Sequence, residues 1–463
     1  MILTLVIIFF IGYLAIALEH PLRIDKSALA LLLGMILWIV YALWCDVLVN
    51  PEFVKAYVAE NEKALGGLSY HDQCMQYILN VDIVESLGEI TQTLLFLIGA
   101  MTIVELIDVH GGFTVITDKI NTRDKKLFMC VISVITFILS AILDNMTTTI
   151  VMVMLLRKLV SDKNERWIYA AMIVIAANTG GAWSPIGDVT TILLWVKGNV
   201  TAEALIKFVL LPSIVAMVIP LLFATRMVKG KLGAPMQENK VTEGISQREK
   251  RLIFFLGVGG LIFVPIFKSL THLPPFIGIL LVLGVLWTFT EIMYNGKMLE
   301  RSREHRIPKI IARIDMPSIL FFLGILMAVS VLQSTGILTM TANFLDEQIH
   351  NVYLINILLG VLSSVVDNVP LVAGVIGMYP VEIHADVTGY AANFVVDGAF
   401  WEFLSYCAGV GGSLLIIGSA AGVIAMGLER INFGWYLKRF SLLALAGYIA
   451  GAVVYIVEVC LFK

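Results

Sequence analysis

The 463 residues are 59% hydrophobic and only 14% charged, with a mean hydropathy of +0.90 and a net charge of −3. A soluble chain carries roughly 25% charged residues, so a water-soluble globular domain is excluded. No basic block points to a nucleic-acid partner, and the five cysteines form no metal-ligand spacing. Apolar runs of roughly 17–25 residues, the length of a bilayer-crossing helix, recur from end to end and specify an all-α polytopic membrane protein in contact with the lipid bilayer.

Residues 2–18 read as a first span, since they lack the basic leader and small-residue cleavage site of a signal peptide. The polar segment 45–89 holds eight acidic residues against Lys55 and Lys63, so the bias of lysine and arginine toward inner loops places it outside. Cys45 and Cys74 within it stay as thiols or, in an oxidising compartment, pair. Residues 90–108 then run inward to Lys119, Arg123, Lys125 and Lys126. The stretch 127–160 leaves the inner face and returns to it. Span 167–197 runs outward, and 203–225 returns to seven basic residues within 226–251. Spans 252–268 and 275–294 precede six more in 297–313. Residues 316–333 run outward, 353–380 leave the outer face and return, 393–427 run inward to Arg430, Lys438 and Arg439, and 440–460 exit. This threading gives about ten full spans plus two re-entrant hairpins in a cell inner (plasma) membrane, with both termini external. The arms of the second hairpin, about 14 and 11 residues, reach only some 16–21 Å as helix, short of a ~30 Å hydrocarbon core. His20, His71, His110, His272, His305, His350 and His384 fall in loops or near span ends and are assigned to solvated surface.

Two halves of the chain resemble each other. "TLLFLIGAM" at 93–101 matches "SILFFLGIL" at 318–326, the Asp-Asn pair 144–145 returns at 367–368, and "GGAWSPIGD" at 180–188 lines up with "GGSLLIIGS" at 411–419. The halves enter the membrane from opposite faces, the pattern of the inverted repeats of secondary transporters. Four segments follow: 1–89 as N-terminal spans and external loop of a scaffold; 90–225 as a first repeat, with hairpin 127–160 and broken helix 167–197; 226–314 as linker spans and inner loops; and 315–463 as a second repeat, with hairpin 353–380 and broken helix 393–427.

A carboxylate at mid-helix in a bilayer costs roughly 2.5–3.5 kcal/mol on insertion scales. Asp144, Asp188 and Asp367 all interrupt apolar stretches, so something must compensate each. Asp144 and Asp367 fall at hairpin tips, and Asp188 follows Gly180, Gly181, Pro185 and Gly187, which undo helical hydrogen bonding. Freed carbonyls and helix ends beside carboxylates suit a small hard cation. Candidate ligand oxygens are Asp144, Asn145, Thr147, Asn178, Ser184 and Asp188 in the first half and Asp367, Asn368, Ser413 and Ser419 in the second. Carboxylates also take protons, and two held close titrate as a pair; a site that holds a cation or a proton, but not both, exchanges one for the other. The plainer role of each aspartate is helix capping, which is compatible with ligation. Glu402, beside Trp401, is a candidate for a proton path.

The segments "ILDNMTTTIVMVML", "NTGGAWSPIGDVTTILLW" and "SSVVDNVPLVAG" resemble the NhaD-type sodium/proton antiporters, of the ion transporter superfamily that includes arsenite permeases and dicarboxylate symporters. The likeness runs from about residue 90 to 460. It implies a homodimer with a scaffold domain and an elevator-like transport domain, exporting Na⁺ or Li⁺ against inward H⁺ flow, with no cofactor beyond the transported ions and no enzymatic activity. The same resemblance makes Asp144, Asn145, Asp188, Asp367 and Asn368 the Na⁺ ligands, with Asn178 and Ser184 in the unwound stretch. The second unwound stretch departs from the first: Leu415 stands opposite Ser184 and Ser419 opposite Asp188, which implies one asymmetric site. The dicarboxylate symporters carry Ser-Asn-Thr tips; two acidic tips here argue against an anionic substrate. The rival reading within the superfamily is a permease for arsenite or another small ion. An intramembrane aspartyl protease is set aside, because its motif needs glycine where Pro185 stands and tyrosine before the partner aspartate, where Leu143 and Val366 stand.

Overall fold

Inside lipid every backbone polar group must be satisfied within its own segment, which leaves helices as the economical element. The computed structural model describes residues 1–17, 22–113, 122–232, 246–295, 307–382 and 388–463. Lys119, the basic residues in 233–245 and 296–306, and His20, His305 and His384 lie outside the described residues. Within them no β-strand occurs, only the isolated bridges Asp124–Lys231 and Glu382–Val395.

In chain order the helices begin with α1 (Ile2–Ala17), α2 (Lys26–Leu43), α3 (Cys45–Leu48), α4 (Pro51–Glu60), α5 (Glu62–Leu65) and α6 (Tyr70–Tyr77). A π turn, Ile78–Asp82, leads into α7 (Ile83–Val109). Next come α8 (Lys125–Leu143), α9 (Asn145–Leu159), α10 (Lys163–Gly181), α11 (Val189–Val196), α12 (Ala202–Met227), α13 (Gln247–Thr271) and α14 (Pro275–Asn295). The rest are α15 (Ile307–Ile311), α16 (Met316–Ser334), α17 (Ile337–Ile349), α18 (Val352–Leu362), α19 (Asn368–Met378), α20 (Ala399–Gly411), α21 (Ala420–Glu429), α22 (Phe433–Arg439) and α23 (Ser441–Phe462). Most starts carry a cap legible in sequence: Asp25, Asp124, Asp162, Thr201, Ser246 and Asn432 each accept a backbone N–H of the first turn.

Among the described residues eight helices are long and apolar enough to cross a membrane by length and composition. The chain is thus an all-α polytopic membrane protein. The expected span count and these eight differ in bookkeeping. The expected spans 167–197 and 393–427 are each two shorter helices, α1 is 16 residues long, and α8, an expected hairpin arm, is itself of spanning length at 19 residues. The second broken helix starts at Ala399, later than the expected 393, because Asp397 takes a left-handed φ of 59° and Gly398 caps the helix.

The chain forms two compact units, interleaved in sequence. The first comprises Met1–Leu94, Asp315–Asn351 and Val369–Pro380. Its centre is the α2–α16 pair, where backbones approach because both helices offer glycine. A Cβ on Gly34 would lie 2.5 Å from the Gly324 carbonyl oxygen, and one on Gly324 would strike the Ala30–Leu31 backbone. Such small-residue contacts bring helices together in lipid, where no hydrophobic force does so. Trp38 donates its indole N–H to the Met327 carbonyl at 3.0 Å. In the same unit Tyr41 donates to the buried Asp82 carboxylate at 2.6 Å. Cys45 and Cys74, for which pairing and free thiols were both open, are free and buried.

The second unit comprises Leu95–Ile314, Val352–Asn368 and Val381–Lys463. Here α10 packs on α8, α9, α12 and α21, while α20 packs on α18 and α23. Buried tyrosines find carbonyl partners, as amphipathic rings must: Tyr406 donates to Tyr448 O (2.7 Å), Tyr448 to Ile357 O (3.0 Å) and Tyr436 to Ser413 O (2.8 Å). The buried Glu429 on α21 accepts from Arg157 (2.7 Å) and Arg166 (2.9 Å), two residues that the sequence offered only as loop charge. Glu402, fully buried, accepts from Lys463 (2.8 Å) and Tyr455 (2.9 Å). Both carboxylate oxygens are thus engaged in a structural ion pair, and Glu402 takes no part in the cluster described below. One histidine departs from its expected surface position: His110 at the end of α7 is fully buried, its Nδ1 lying 2.7 Å from Leu106 O.

Replacing Gly324 with valine forces branched carbon into the α2 backbone, an overpacking cost of about 1–3 kcal/mol or more. Thermal unfolding of the detergent-purified variant, followed by fluorescence-detected size exclusion, will show a lower midpoint. The same change at Gly284, whose Cβ position is open, will leave the midpoint close to that of the parent.

Candidate functional site

All ten candidate residues lie in the second unit, and most of them converge. The expected first hairpin breaks at a single residue: α8 ends at Leu143, α9 begins at Asn145, and Asp144 between them has φ 82° and ψ 159°. Left-handed φ is uncommon for a residue with a Cβ. Asp144 holds it by accepting from the Thr147 backbone N–H (2.7 Å) and hydroxyl (2.9 Å), one per carboxylate oxygen. The Thr147 hydroxyl thus gives its proton to Asp144, while its oxygen keeps its acceptor lone pairs. The second tip is looser, with five residues between Leu362 and Asn368 and no positive φ at Asp367.

Tight backbone contacts fix the two broken helices. A Cβ on Gly180 would strike Phe137 O, and one on Gly187 would lie 2.9 Å from Ser140 O. In the second stretch a Cβ on Gly411 would strike Gly360 O, and one on Gly418 would lie 2.5 Å from Ser364 O. Serines at each tip lean on the neighbouring helix, Ser140 to Ala177 O (2.6 Å) and Ser363 to Ala408 O (3.0 Å). Past each gap a helix restarts on an extended N-cap: Asp188 (φ −147°, ψ 149°) begins α11, and Ser419 (φ −145°, ψ 154°) begins α21. Asp188 accepts from Thr190 N (3.0 Å), and Thr191 closes a capping box with the Asp188 backbone. Ser419 accepts from Gly422 N (3.2 Å).

Asp188, 2% exposed, is the centre. Asn145 donates to it from the first tip at 2.7 Å, and Asn368 from the second at 3.4 Å and 3.5 Å. Asn145 also donates to Asn178 Oδ1 at 3.1 Å, and the Asn178 amide nitrogen reaches Ser413 (2.9 Å) and Ser419 (2.8 Å). One hydrogen-bonded set therefore gathers Asn145, Asn178, Asp188, Asn368, Ser413 and Ser419. The carboxylates of Asp144 and Asp367 each lie within electrostatic reach of Asp188, and both are half-buried. Ser184 stands apart: its hydroxyl donates to Ala141 O at 2.5 Å and splints the unwound stretch to α8. Thr148 Oγ1 is buried with no hydrogen-bond partner.

Negative charge, amide groups and hydroxyls are concentrated here, and the contacts of Asp144 and Asp188 are backbone N–H groups, hydroxyls and side-chain amides. An asparagine that donates its NH₂ can turn to present its carbonyl oxygen. The set can thus supply several hard oxygens to a small cation or accept a proton on a carboxylate. The role of Asn178 as the link between the Asp188 side and the two serines was the least visible feature in sequence; its one signal was an asparagine in the apolar stretch that follows Arg166, which is buried from Tyr169 to Gly181.

The profile of the CitMHS family, described as citrate transporter, matches residues 13–396. Sodium/proton antiporter 2 of Arabidopsis thaliana is 42% identical over 97% of the chain and 98% of its own length. Sodium/proton antiporter 1 of the same plant is 42% identical over 98% of the chain and 72% of its own length. The Na⁺/H⁺ antiporter NhaD of Vibrio parahaemolyticus is 30% identical over 82% of the chain and 93% of its own length. With matches of that extent, the chain belongs to the CitMHS citrate-transporter family and to the company of NhaD-type antiporters, as a multi-pass membrane transporter and not an enzyme.

Proposed function

We propose that this chain is a secondary active transporter that exchanges cytoplasmic Na⁺ or Li⁺ for external H⁺ at a mid-membrane carboxylate site. The observation that carries the reading is the set around Asp188, to which both Asp-Asn tips contribute. The relatives named as sodium/proton antiporters support the same choice of ions. In this reading Asp144, Asn145, Asp188, Asp367 and Asn368 hold the cation, Asn178, Ser413 and Ser419 position them, and Thr147 and Ser184 hold the two breaks in shape.

Alternating access proceeds as an elevator, in a plasma-membrane homodimer with external termini, and residues 90–225 and 315–463 are inverted repeats. Two features support the repeat: Asp188 and Ser419 begin their helices with matching dihedrals, and equivalent glycines make equivalent close approaches. The re-entrant assignment of 353–380 rests on α18 and α19, 11 residues each, or about 16 Å as helix.

The family's description as citrate transporter favours a second reading, uptake of a tricarboxylate anion. Charge speaks against it. Each pair of like unit charges 4 Å apart costs about 4 kcal/mol at an effective dielectric of 20, and three aspartates face the site.

The test uses proteoliposomes with an imposed pH gradient and a pH-sensitive dye. Addition of NaCl or LiCl will collapse the gradient, and sodium-free citrate will not; a response to citrate with none to any alkali cation overturns the proposal. Asp188→Asn, Asp144→Asn and Asp367→Asn will each lower the Na⁺ response at least about tenfold while the protein still inserts and elutes as a single species, since each removes a charge that a cation needs. Because Na⁺ and H⁺ compete for the same deprotonated oxygens, the apparent KM for Na⁺ will rise as pH falls, approaching about tenfold per pH unit for each proton displaced. A KM that does not change between pH 6 and pH 9 would mean separate sites.

A further inference from the structure

The first unit carries a second group of ligating atoms, unrelated to the aspartate cluster. Cys45 and Asp46 open α3, and His71 lies in the first turn of α6. Cys45 is fully buried, while Asp46 and His71 are about half exposed. The Cys45 Sγ lies 3.5 Å from His71 Nδ1 and 3.9 Å from Asp46 Oδ1; His71 Nδ1 lies 3.1 Å from Asp46 Oδ2 and 3.2 Å from Oδ1. Cys74, one turn along α6 and also buried, is in hydrogen-bonding contact with the Cys45 side chain.

These separations form the face of a tetrahedron. For a Zn²⁺ bound at roughly 2.3 Å to sulfur and about 2.0–2.1 Å to nitrogen and oxygen, tetrahedral geometry sets S–N and S–O edges of about 3.6 Å and an N–O edge of about 3.4 Å. A simple His–Asp ion pair explains one edge only. Protons can link the groups pairwise, since the Cys45 thiol has its own to give to the imidazole, the carboxylate or the His71 carbonyl (3.9 Å), but one metal ion accounts for a sulfur, a nitrogen and an oxygen converging at ligand-to-ligand spacing. The expectation that the cysteines carry no metal spacing rested on cysteines alone. Here the ligands come from two helices some 25 residues apart in sequence, and two of them are not cysteine.

We infer that Cys45, Asp46 and His71 form a binding site for a thiophilic divalent cation of the Zn²⁺ type, with Cys74 or water at the fourth position. Occupancy fastens α3 to α6 and so closes the loop between them. The ion is a resident clamp, distinct in ligand chemistry from the hard-oxygen set around Asp188, since sulfur and imidazole select soft or borderline metals over alkali ions.

The experiment takes the full chain in detergent, tag removed, stripped with a chelator and kept under a thiol-free reductant. Titration with Zn²⁺ alone, read by calorimetry and by metal content after desalting, will show one equivalent bound. Co²⁺ in its place will give a thiolate charge-transfer band. His71→Ala and Asp46→Asn, both at exposed positions where folding is not at stake, will weaken Zn²⁺ binding at least about tenfold, and Cys45→Ser will abolish the band where water is the fourth ligand and weaken it where Cys74 is. In Cys74→Ser the Cys45 thiolate will keep the band, weakened where Cys74 is the fourth ligand, with Zn²⁺ still bound; loss of the band in this variant overturns the assignment of Cys45. Absence of stoichiometric uptake, uptake unaffected by both surface variants, or a Cys45–Cys74 disulfide in freshly purified protein overturns the proposal.

Discussion

A carboxylate sealed away from water in an apolar fold needs local compensation, and much of the second unit is arranged around the one that Asp188 demands. Three sources meet there: the first turn of its own helix through Thr190 N–H, the Asn145 amide at the start of α9 and the Asn368 amide that follows α18. None of these is a full positive charge. Dipoles and hydrogen bonds hold the anion, which leaves its charge available to a cation in a way that a lysine or arginine partner would not. The contrast lies within the same unit, where Glu402 and Glu429 are equally buried but bound by Lys463 and by two arginines. Those two glutamates are neutralised structural fixtures; Asp188 is solvated by neutral groups.

The broken helices follow from that demand. An N-cap carboxylate needs a helix that starts at the right depth, and an N-terminus within an apolar span requires the preceding turn to be undone. Gly180, Gly181 and Gly187 make this feasible by letting the unwound backbone approach Phe137, Ser140 and its own strand of loop without side-chain clash. Ser184 then ties the loop to Ala141 O. The glycines are thus spatial requirements before they are conformational ones.

How much of this was legible in sequence depends on whether the cause is local. The aspartates stood out because charge is rare in apolar runs, the breaks because glycine and proline cluster, and the caps because Asp, Ser and Thr precede helical periods. Asp188 as both cap and site member was readable on those grounds. Partners distant in sequence were not. Nothing near Asn178 announces Ser413 and Ser419, more than 230 residues on. Arg157 and Arg166 counted as loop charge, yet they share Glu429, and His110 at a helix end was assigned to water but is enclosed. Ser184 was chosen as a ligand by residue type, and only packing reveals that its hydroxyl proton goes to the Ala141 carbonyl. Helix ends and tips are encoded by neighbours; pairing across helices is encoded only by the assembled fold.

The two breaks illustrate how one backbone device can carry different chemistry. Asp188 and Ser419 have nearly the same dihedrals and the same capping role, so helix geometry alone does not require a carboxylate at either. A serine meets the capping need with no charge to compensate. Accordingly Ser419 draws one amide hydrogen bond, from Asn178, where Asp188 draws two amides from separate tips. The tips differ in the same sense. The first turns on one strained residue, locked by Thr147, and the second on a looser loop, although both present asparagine to Asp188. Placing the charge in one half and the neutral cap in the other concentrates the field on one side of the cluster. In the proposed reading a cation arriving there would meet one buried anion and two flanking ones, Asp144 and Asp367, and the asymmetry between the halves would make a single centre of binding out of two similar folds of chain.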